Sequence, residues 1–273
     1  MNQALRDSAK ELERKNQLIT DFFINISHEF KTPVSILLIA SELVEQCIIQ
    51  PKPDIESLRA NIPYLRQNVM RLGRLVNNLL DITKLDAGFM HPVLVNRDIV
   101  GMLRYLVSSL QVYAQQKDVV ISYTGMQEEM MMPVDMVMLD RILLNLVSNA
   151  LKATAPGGHI EVGCEALINR VRIFVSDNGT GIPRDKQKVI FDRFQQANPS
   201  LARSGEGCGI GLSLVKLLTR ALGGHAWVRS EMGQGSTFFV ELPIQEETTP
   251  REYSASGLML DQRIEMELSD IMR

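Results

Sequence analysis

Four groups of residues in this 273-residue chain have types and spacings suited to chemistry. The first is Ser27-His28-Glu29-Phe30-Lys31-Thr32-Pro33. An imidazole beside a carboxylate can attack an electrophile, with Glu29 taking its proton or holding one ring nitrogen deprotonated. Thr32 falls one helical turn beyond His28, where its hydroxyl can orient a water. The second group is Asn145 and Asn149, four residues apart and so on one helix face, with Lys152 three residues further on. Carboxamide oxygens are hard ligands for a Mg²⁺ that bridges phosphates, and the lysine adds a cation within reach of them. The third is Asp177-Asn178-Gly179-Thr180-Gly181, directly after an expected strand. A carboxylate at a strand end can accept the amino group of adenine, and glycines allow positive φ and close backbone approach. The fourth is Gly205-Glu206-Gly207-Cys208-Gly209-Ile210-Gly211-Leu212, a glycine-rich loop running into a helix start, where amides and the helix dipole favour phosphates. The loop has no G-x-x-x-x-G-K-[ST] pattern and no strand immediately before it, so neither a P-loop nor a dinucleotide fingerprint fits.

These groups need scaffolds to position them. The first fifty residues read as one long helix with a seven-residue repeat. Leu5, Leu12, Ile19 and Ile26 recur on one seam; Ala9, Phe23, Phe30, Leu37 and Val44 occupy the other. Asn16 is a polar seam residue of the kind that fixes register. With Ile26 and Phe30 on the seams, His28 falls on the outward face, and Pro33 leaves the Glu29 carbonyl without its helical partner, bending the helix there. Pro51-Lys52-Pro53 breaks the helix. A second heptad run then places Ile55, Leu58, Ile62, Leu65, Val69, Leu72, Val76 and Leu79 on a seam; Pro63 within it delays or kinks the helix. Leu75, Leu80 and Ile82 widen the apolar stripe beyond what one hairpin covers, so two hairpins are expected to pair into a four-helix bundle, making the protein a homodimer.

After Ala87-Gly88 the composition changes. Helices are expected over 98–117, 139–153 and 212–222, and strands over 119–123, 160–166, 170–176, 226–230 and 237–242. They do not alternate strictly, which points to an α+β sandwich instead of a doubly wound sheet. The fold class is therefore multidomain: an antiparallel helical hairpin forming a dimeric four-helix bundle, then an α+β sandwich. The expected division is a coiled-coil linker 1–15, the hairpin 16–88, a linker 89–97, the sandwich 98–244, and a polar linker with a possible short helix at 245–273.

Composition narrows the partners. A hydrophobic share of 45% and a charged share of 22% are those of an ordinary globular protein. The net charge of −3 carries no footprint for nucleic acid. Cys47, Cys164 and Cys208 are far apart, with no paired metal spacing, which suits a reducing cytoplasmic setting. No apolar run approaches the ~20 residues that span a bilayer, so no membrane segment is expected in this chain. Met1 falls inside a heptad, so the sequence reads as part of a longer protein.

Residues 23–33, Phe23-Ile24-Asn25-Ile26-Ser27-His28-Glu29-Phe30-Lys31-Thr32-Pro33, resemble the histidine box of bacterial sensor histidine kinases of two-component systems. In order and spacing, Asn145 to Asn149, Asp177 to Gly181, Gly205 to Leu212, and Gly233-Gln234-Gly235-Ser236-Thr237-Phe238, with Phe191-Asp192-Arg193-Phe194 between, resemble that family's ATP-binding domain, shared with gyrase, Hsp90 and MutL. The resemblance covers roughly residues 16 to 244. It implies that His28 is phosphorylated from Mg-ATP with Glu29 as general base, and that Thr32 serves a reverse phosphatase reaction. It implies Mg²⁺ on Asn149 with Asn145 nearby, and Asp177 on the adenine amino group. The implied nucleotide set also includes Lys152, Gly179, Gly181, Arg193, Gly207, Gly209, Gly211, Leu212 and Thr237, under a lid between Phe194 and Gly207. The implied partner is the receiver domain of a response regulator, whose aspartate takes the phosphoryl group.

Two positions depart from the pattern. Ala153 stands where the family often has an aromatic residue, and Glu206 stands where glycine is commoner, so ordinary to weak ATP affinity is expected. Two other readings differ in output: a dimerised ATPase, or a scaffold with a vestigial nucleotide domain. The first lacks an acid on the Asn145 turn to activate water; the second is opposed by intact His28, Asn149 and Asp177.

Overall fold

The computed structural model describes residues 2–49, 55–125, 127–193, 209–244 and 260–269, with side chains before Phe23 described only at Arg6, Glu13, Gln17 and Thr20. The expected seam residues Leu5, Ala9, Leu12, Asn16 and Ile19, the turn at 51–53, the lid at 194–207 with Cys208, and the linker at 245–256 lie outside that set. The chain divides into two units, Met1–Leu72 and Gly73–Arg273.

The first unit holds helix α1 (Asn2–Ile49) and the beginning of α2 (Ile55–Asp86). On α1, burial recurs at Ile26, Phe30, Pro33, Leu37, Ala40, Val44 and Cys47, the alternation of four and three that the heptads set out. Phe23, expected on this stripe, is exposed. On α2 the more protected stripe runs through Leu58, Asn61, Leu65, Asn68 and Leu72. Asn61 and Asn68 sit there at low cost because each amide donates to a carbonyl one turn back, Ser57 at 2.9 Å and Tyr64 at 2.8 Å.

Half of the expected α2 seam faces outward. Ile55, Ile62 and Val69 are 55%, 56% and 57% exposed. They recur every seven residues, so they form a second stripe beside the first, with Phe23, Leu38 and Ile39 similarly exposed on α1. The expectation merged two apolar stripes into one because both share the heptad period. Pro63 lies inside a helix that already begins at Ile55, so it does not delay the start, and Pro33 is likewise interior to α1. The expectation that no apolar run reaches membrane-spanning length needs correction. The segment Phe23–Ile49 has a mean hydropathy of 1.5 and is long and apolar enough to cross a membrane by length and composition. Averaged hydropathy tolerates the polar residues that interrupt an unbroken apolar count.

The second unit begins with the last turns of α2. It continues with β1 (Val95–Asp98), α3 (Ile99–Gln116), β2 (Val120–Thr124), β3 (Met131–Val134), α4 (Met136–Ala153), β4 (His159–Ala166) and β5 (Arg170–Asp177). Then come the single turn α5 (Arg184–Gln187), α6 (Gly211–Ala221), β6 (His225–Glu231), β7 (Gly235–Pro243) and α7 (Leu260–Glu267). The five-stranded sheet has the order β2-β4-β5-β7-β6, parallel only between β2 and β4. Such a mixed sheet with helices α3, α4 and α6 against it is the expected α+β sandwich.

The residues expected as a linker, 89–97, are partly structured. β1 pairs with β3 in an unexpected antiparallel ribbon, Val95 opposite Val134. The Val93 amide donates to Asp135 Oδ2 at 2.8 Å, while Oδ1 of the same carboxylate caps α4 through Met138 N at 3.0 Å. Asp98 caps α3 by accepting from Val100 N and Gly101 N.

Strand parity decides which residues face the helices. Val171, Ile173, Val175 and Asp177 on β5 are buried, as are Ser236, Phe238, Val240 and Leu242 on β7. Asp177 is therefore the last inward residue of its strand. Beside it Gly235 adopts φ 106°, and a Cβ there would lie 1.9 Å from the Asp177 carbonyl oxygen. Gly235→Ala is expected to cost about 3 kcal/mol or more, because backbone on both sides must move. Urea unfolding monitored at Trp227 measures this, and an unchanged midpoint would contradict it.

Candidate functional site

His28 is exposed on α1, as the heptad register requires. Glu29, next to it, is held by Arg71 of α2, with Nη2 3.2 Å from Oε2. Arg71 was not expected in the site: it stands beside the α2 stripe, and its role shows only once the fold brings Glu29 alongside. The Thr32 hydroxyl donates to the His28 carbonyl at 3.3 Å, a bond back along its own helix. Thr32 is thus one turn from His28 as expected, with its hydroxyl engaged by backbone.

In the second unit the expected nucleotide residues gather at one end of α4. Asn145 is 4% exposed, and its amide donates to the Arg141 carbonyl at 2.8 Å. That bond turns Oδ1 toward the start of α6, where a Cβ on Gly211 would lie 2.6 Å from it. The fourth glycine of the run, Gly211, is thus small because a carboxamide sits against it. Asn149 lies one turn further along α4, half-buried, with Lys152 half-buried beyond it.

Helix α6 begins after Gly209, at φ 64°, and among the described residues no side chain caps it. Its first amides are therefore suited to an anion. Leu212 is half-buried in that first turn. Gly207 lies outside the described residues.

The Asp177 turn is fastened to the end of α4. Thr180 N donates to the Ala153 carbonyl at 3.2 Å, and a Cβ on Gly179 would meet that same oxygen at 2.3 Å. Gly181 adopts φ 70° against the Glu231 carbonyl, 2.1 Å from where a Cβ would be. Asp177 is 6% exposed and accepts from Gly179 N at 2.9 Å. Burial pushes its carboxyl above the usual carboxylate range, although the amides of Gly179 and Ser236 pull the other way. Ser236 was missed; only the register that pairs it with Asp177 reveals it.

Thr237 and Arg193 are placed differently from the rest. Thr237 has the opposite strand parity to Ser236, and its hydroxyl lies 2.8 Å from that of Ser176 on the sheet's other face. Arg193 pairs with Asp86 at the end of α2, with Nη2 2.5 Å from Oδ2. Arg141 pairs with Asp81 of the same stretch. Phe191 is buried edge-on against Phe238, centroids 6.2 Å apart, and anchors the segment leading toward the expected lid.

The donor set fits an adenine nucleotide with a divalent cation. It combines a buried carboxylate at a strand end, two carboxamides on one helix face, and an uncapped helix start against the first of them. Mg²⁺ would be held on the Asn145 and Asn149 side of this group.

Two family models match the chain. Residues 18–88 match the His Kinase A (phospho-acceptor) domain, and residues 134–246 match the histidine kinase-, DNA gyrase B- and HSP90-like ATPase. The sensor protein SrrB of Staphylococcus aureus is 31% identical over 247 residues, 89% of this chain and 41% of that protein. The chain thus spans less than half the length of the curated relatives it matches. Full-length ShkA in complex with AMPPNP is similar in structure, with a TM-score of 0.61 and 30% identity over 86% of this chain and 47% of that one. The histidine kinase ThkA in complex with response regulator protein TrrA shares the fold, with a TM-score of 0.61 and 19% identity over 85% of this chain and 64% of that one.

Proposed function

The chain belongs to the sensor histidine kinases of bacterial two-component systems, and on that premise we propose that it phosphorylates its own His28 from Mg-ATP and passes the phosphoryl group to an aspartate of a response regulator. The observation that carries the reading is the exposed His28 beside Glu29 in a chain that also sets Asn145 against Gly211 and fastens the Asp177 turn to the end of α4. An imidazole nitrogen of His28 attacks the γ-phosphorus, the bond from that phosphorus to the β–γ bridging oxygen breaks, ADP leaves, and the imidazole proton goes to Glu29. Asp177 accepts from the adenine amino group, and the first amides of α6 face the phosphates. Asn149, with Asn145 nearby, would hold Mg²⁺, which would neutralise phosphate charge there. Lys152, Gly207, Gly209, Gly211 and Leu212 complete the phosphate side. Arg193 reaches nucleotide only after leaving Asp86.

The outward stripe of Ile55, Ile62 and Val69 supports a homodimer formed through the hairpin, and the Phe23–Ile49 segment reads as part of that bundle because it carries His28 and Glu29. The chain acts on the cytoplasmic side, where ATP is present. Phosphatase activity toward the regulator is assigned to Thr32 once its hydroxyl leaves the His28 carbonyl.

Incubation with γ-labelled ATP tests the reading. Acid-labile, base-stable label on the protein that chases to a receiver domain is expected. Steady phosphate release without label would indicate an ATPase, and neither product would indicate a scaffold. Arg71 positions Glu29, so Arg71→Ala is expected to slow labelling about tenfold at saturating ATP with nucleotide affinity unchanged, and Arg71→Lys to restore part of it. An equal loss in both variants would point to a structural role alone.

A further inference from the structure

The C-terminal helix α7 carries none of the chemistry above, yet it packs on the helix that does. Ile264 and Leu268, one turn apart, are 2% and 0% exposed. Arg263 pairs with Asp140 of α4 at 3.0 Å. The Glu267 carbonyl accepts from Arg74 Nη1 of α2 at 2.7 Å and from Ser148 Oγ of α4 at 3.4 Å. Asn77 Nδ2 lies 3.4 Å from Met266 Sδ, and Gly73 leaves room for the Met266 methyl, 3.5 Å from where a Cβ would stand. One short helix thus touches α2 at residues 73, 74 and 77 and α4 at residues 140 and 148. On α4 those residues adjoin the stripe of Asn145 and Asn149, and on α2 they lead to Asp81, the partner of Arg141.

Two properties make this contact reversible. Eight residues are too few for a stable isolated helix, which needs roughly 12–15, so α7 owes its helicity to docking. Its charged anchor is also imperfectly satisfied: among the described residues, Nε and Nη1 of Arg263 are buried without partners. Burial pushes the Asp140 carboxyl up to about 6, against the pull of Arg263 and with a push from Asp135. The apolar anchors therefore work against a polar cost. Covalent attachment to the same chain keeps α7 at a high local concentration after release.

We propose that the cleft between the end of α2 and α4 is a helix-docking site occupied by the chain's own α7, which acts as an autoinhibitory latch. Docked, it fastens the nucleotide-binding helix to the last turns of α2, and phosphoryl delivery to His28 requires that helix to move with its domain. The inhibition rests on the kinase reading; the docking does not.

The test compares the whole chain with one ending at Pro250, and with the full-length pair Ile264→Glu and Leu268→Glu. Hydrogen exchange of residues 73–81 and 137–148 reads docking, and the initial rate of label incorporation at His28 reads inhibition. Both altered chains are expected to exchange faster in both segments and to label about fivefold faster or more. A synthetic peptide of residues 257–273 is expected to return the truncated chain toward the parent rate. Unchanged exchange overturns the docking. Faster exchange with an unchanged or lower labelling rate overturns the inhibition. Labelling absent from every chain overturns the kinase reading and the inhibition with it, while the exchange result still decides the docking.

Discussion

His28→Gln is expected to abolish phosphoryl incorporation while leaving Mg-ATP binding within about twofold of the parent. Glutamine keeps the length and polarity of the side chain but offers no nucleophilic nitrogen, so the loss is chemical. The position tolerates the change because His28 is exposed and no packing depends on it. The nucleotide residues begin at Asn145, in the other compact unit, so binding has no reason to follow labelling. Radiolabel incorporation and calorimetry on the same preparation check both halves. Label persisting in the variant would move the acceptor elsewhere.

Asp177→Asn is expected to weaken Mg-ATP binding about 10- to 100-fold, the range for a hydrogen bond to a charged acceptor. The carboxylate already serves two backbone amides, from Gly179 and Ser236, and on the proposed reading the adenine amino group would add a third donor. Asparagine has one acceptor oxygen for the three and turns its own NH₂ toward donors. The same site gives a pH signature. Because burial raises the carboxyl in the folded protein, the native state holds this proton more tightly than the unfolded chain does. Its contribution to stability is therefore fullest below the ordinary carboxylate value of about 3.9 and declines as pH rises through the raised folded value. Nucleotide affinity runs the opposite way: it falls on acidification into that range, as the protonated acid loses acceptor capacity. Calorimetric titrations at several pH values read the slope, which should vanish in Asp177→Asn. A slope that survives the substitution would assign it to another group.

The heptads revealed both long helices and put His28 outside, because a 4-3 pattern fixes which residues can face a neighbour. They blurred the two stripes of α2, since Ile55 and Leu58 belong to different faces that obey one period. The ribbon of β1 and β3 was illegible for another reason. Four residues such as Val95-Asn96-Arg97-Asp98 show too little alternation, and Pro133 argues against a strand at its partner. The start of α4 was readable in retrospect from Asp135, a carboxylate standing before Met136 as its cap. Among the proposed site residues, Asn145, Gly211 and Asp177 were legible because their types and spacing suit contact with a nucleotide. Arg71, Ser236 and the docking of α7 were not, since they depend on which distant residue the fold brings alongside.

The interior proline of α1 has a mechanical meaning. Pro33 has no amide to give the Glu29 carbonyl, so the helix passes the turn of His28 with one rung of its ladder already absent. Bending or twisting a helix elsewhere means stretching a bond; here there is none to stretch. A strain arriving along α1 from its N-terminal end is therefore relieved first beside His28, which makes that turn the softest joint in a rod of 48 residues.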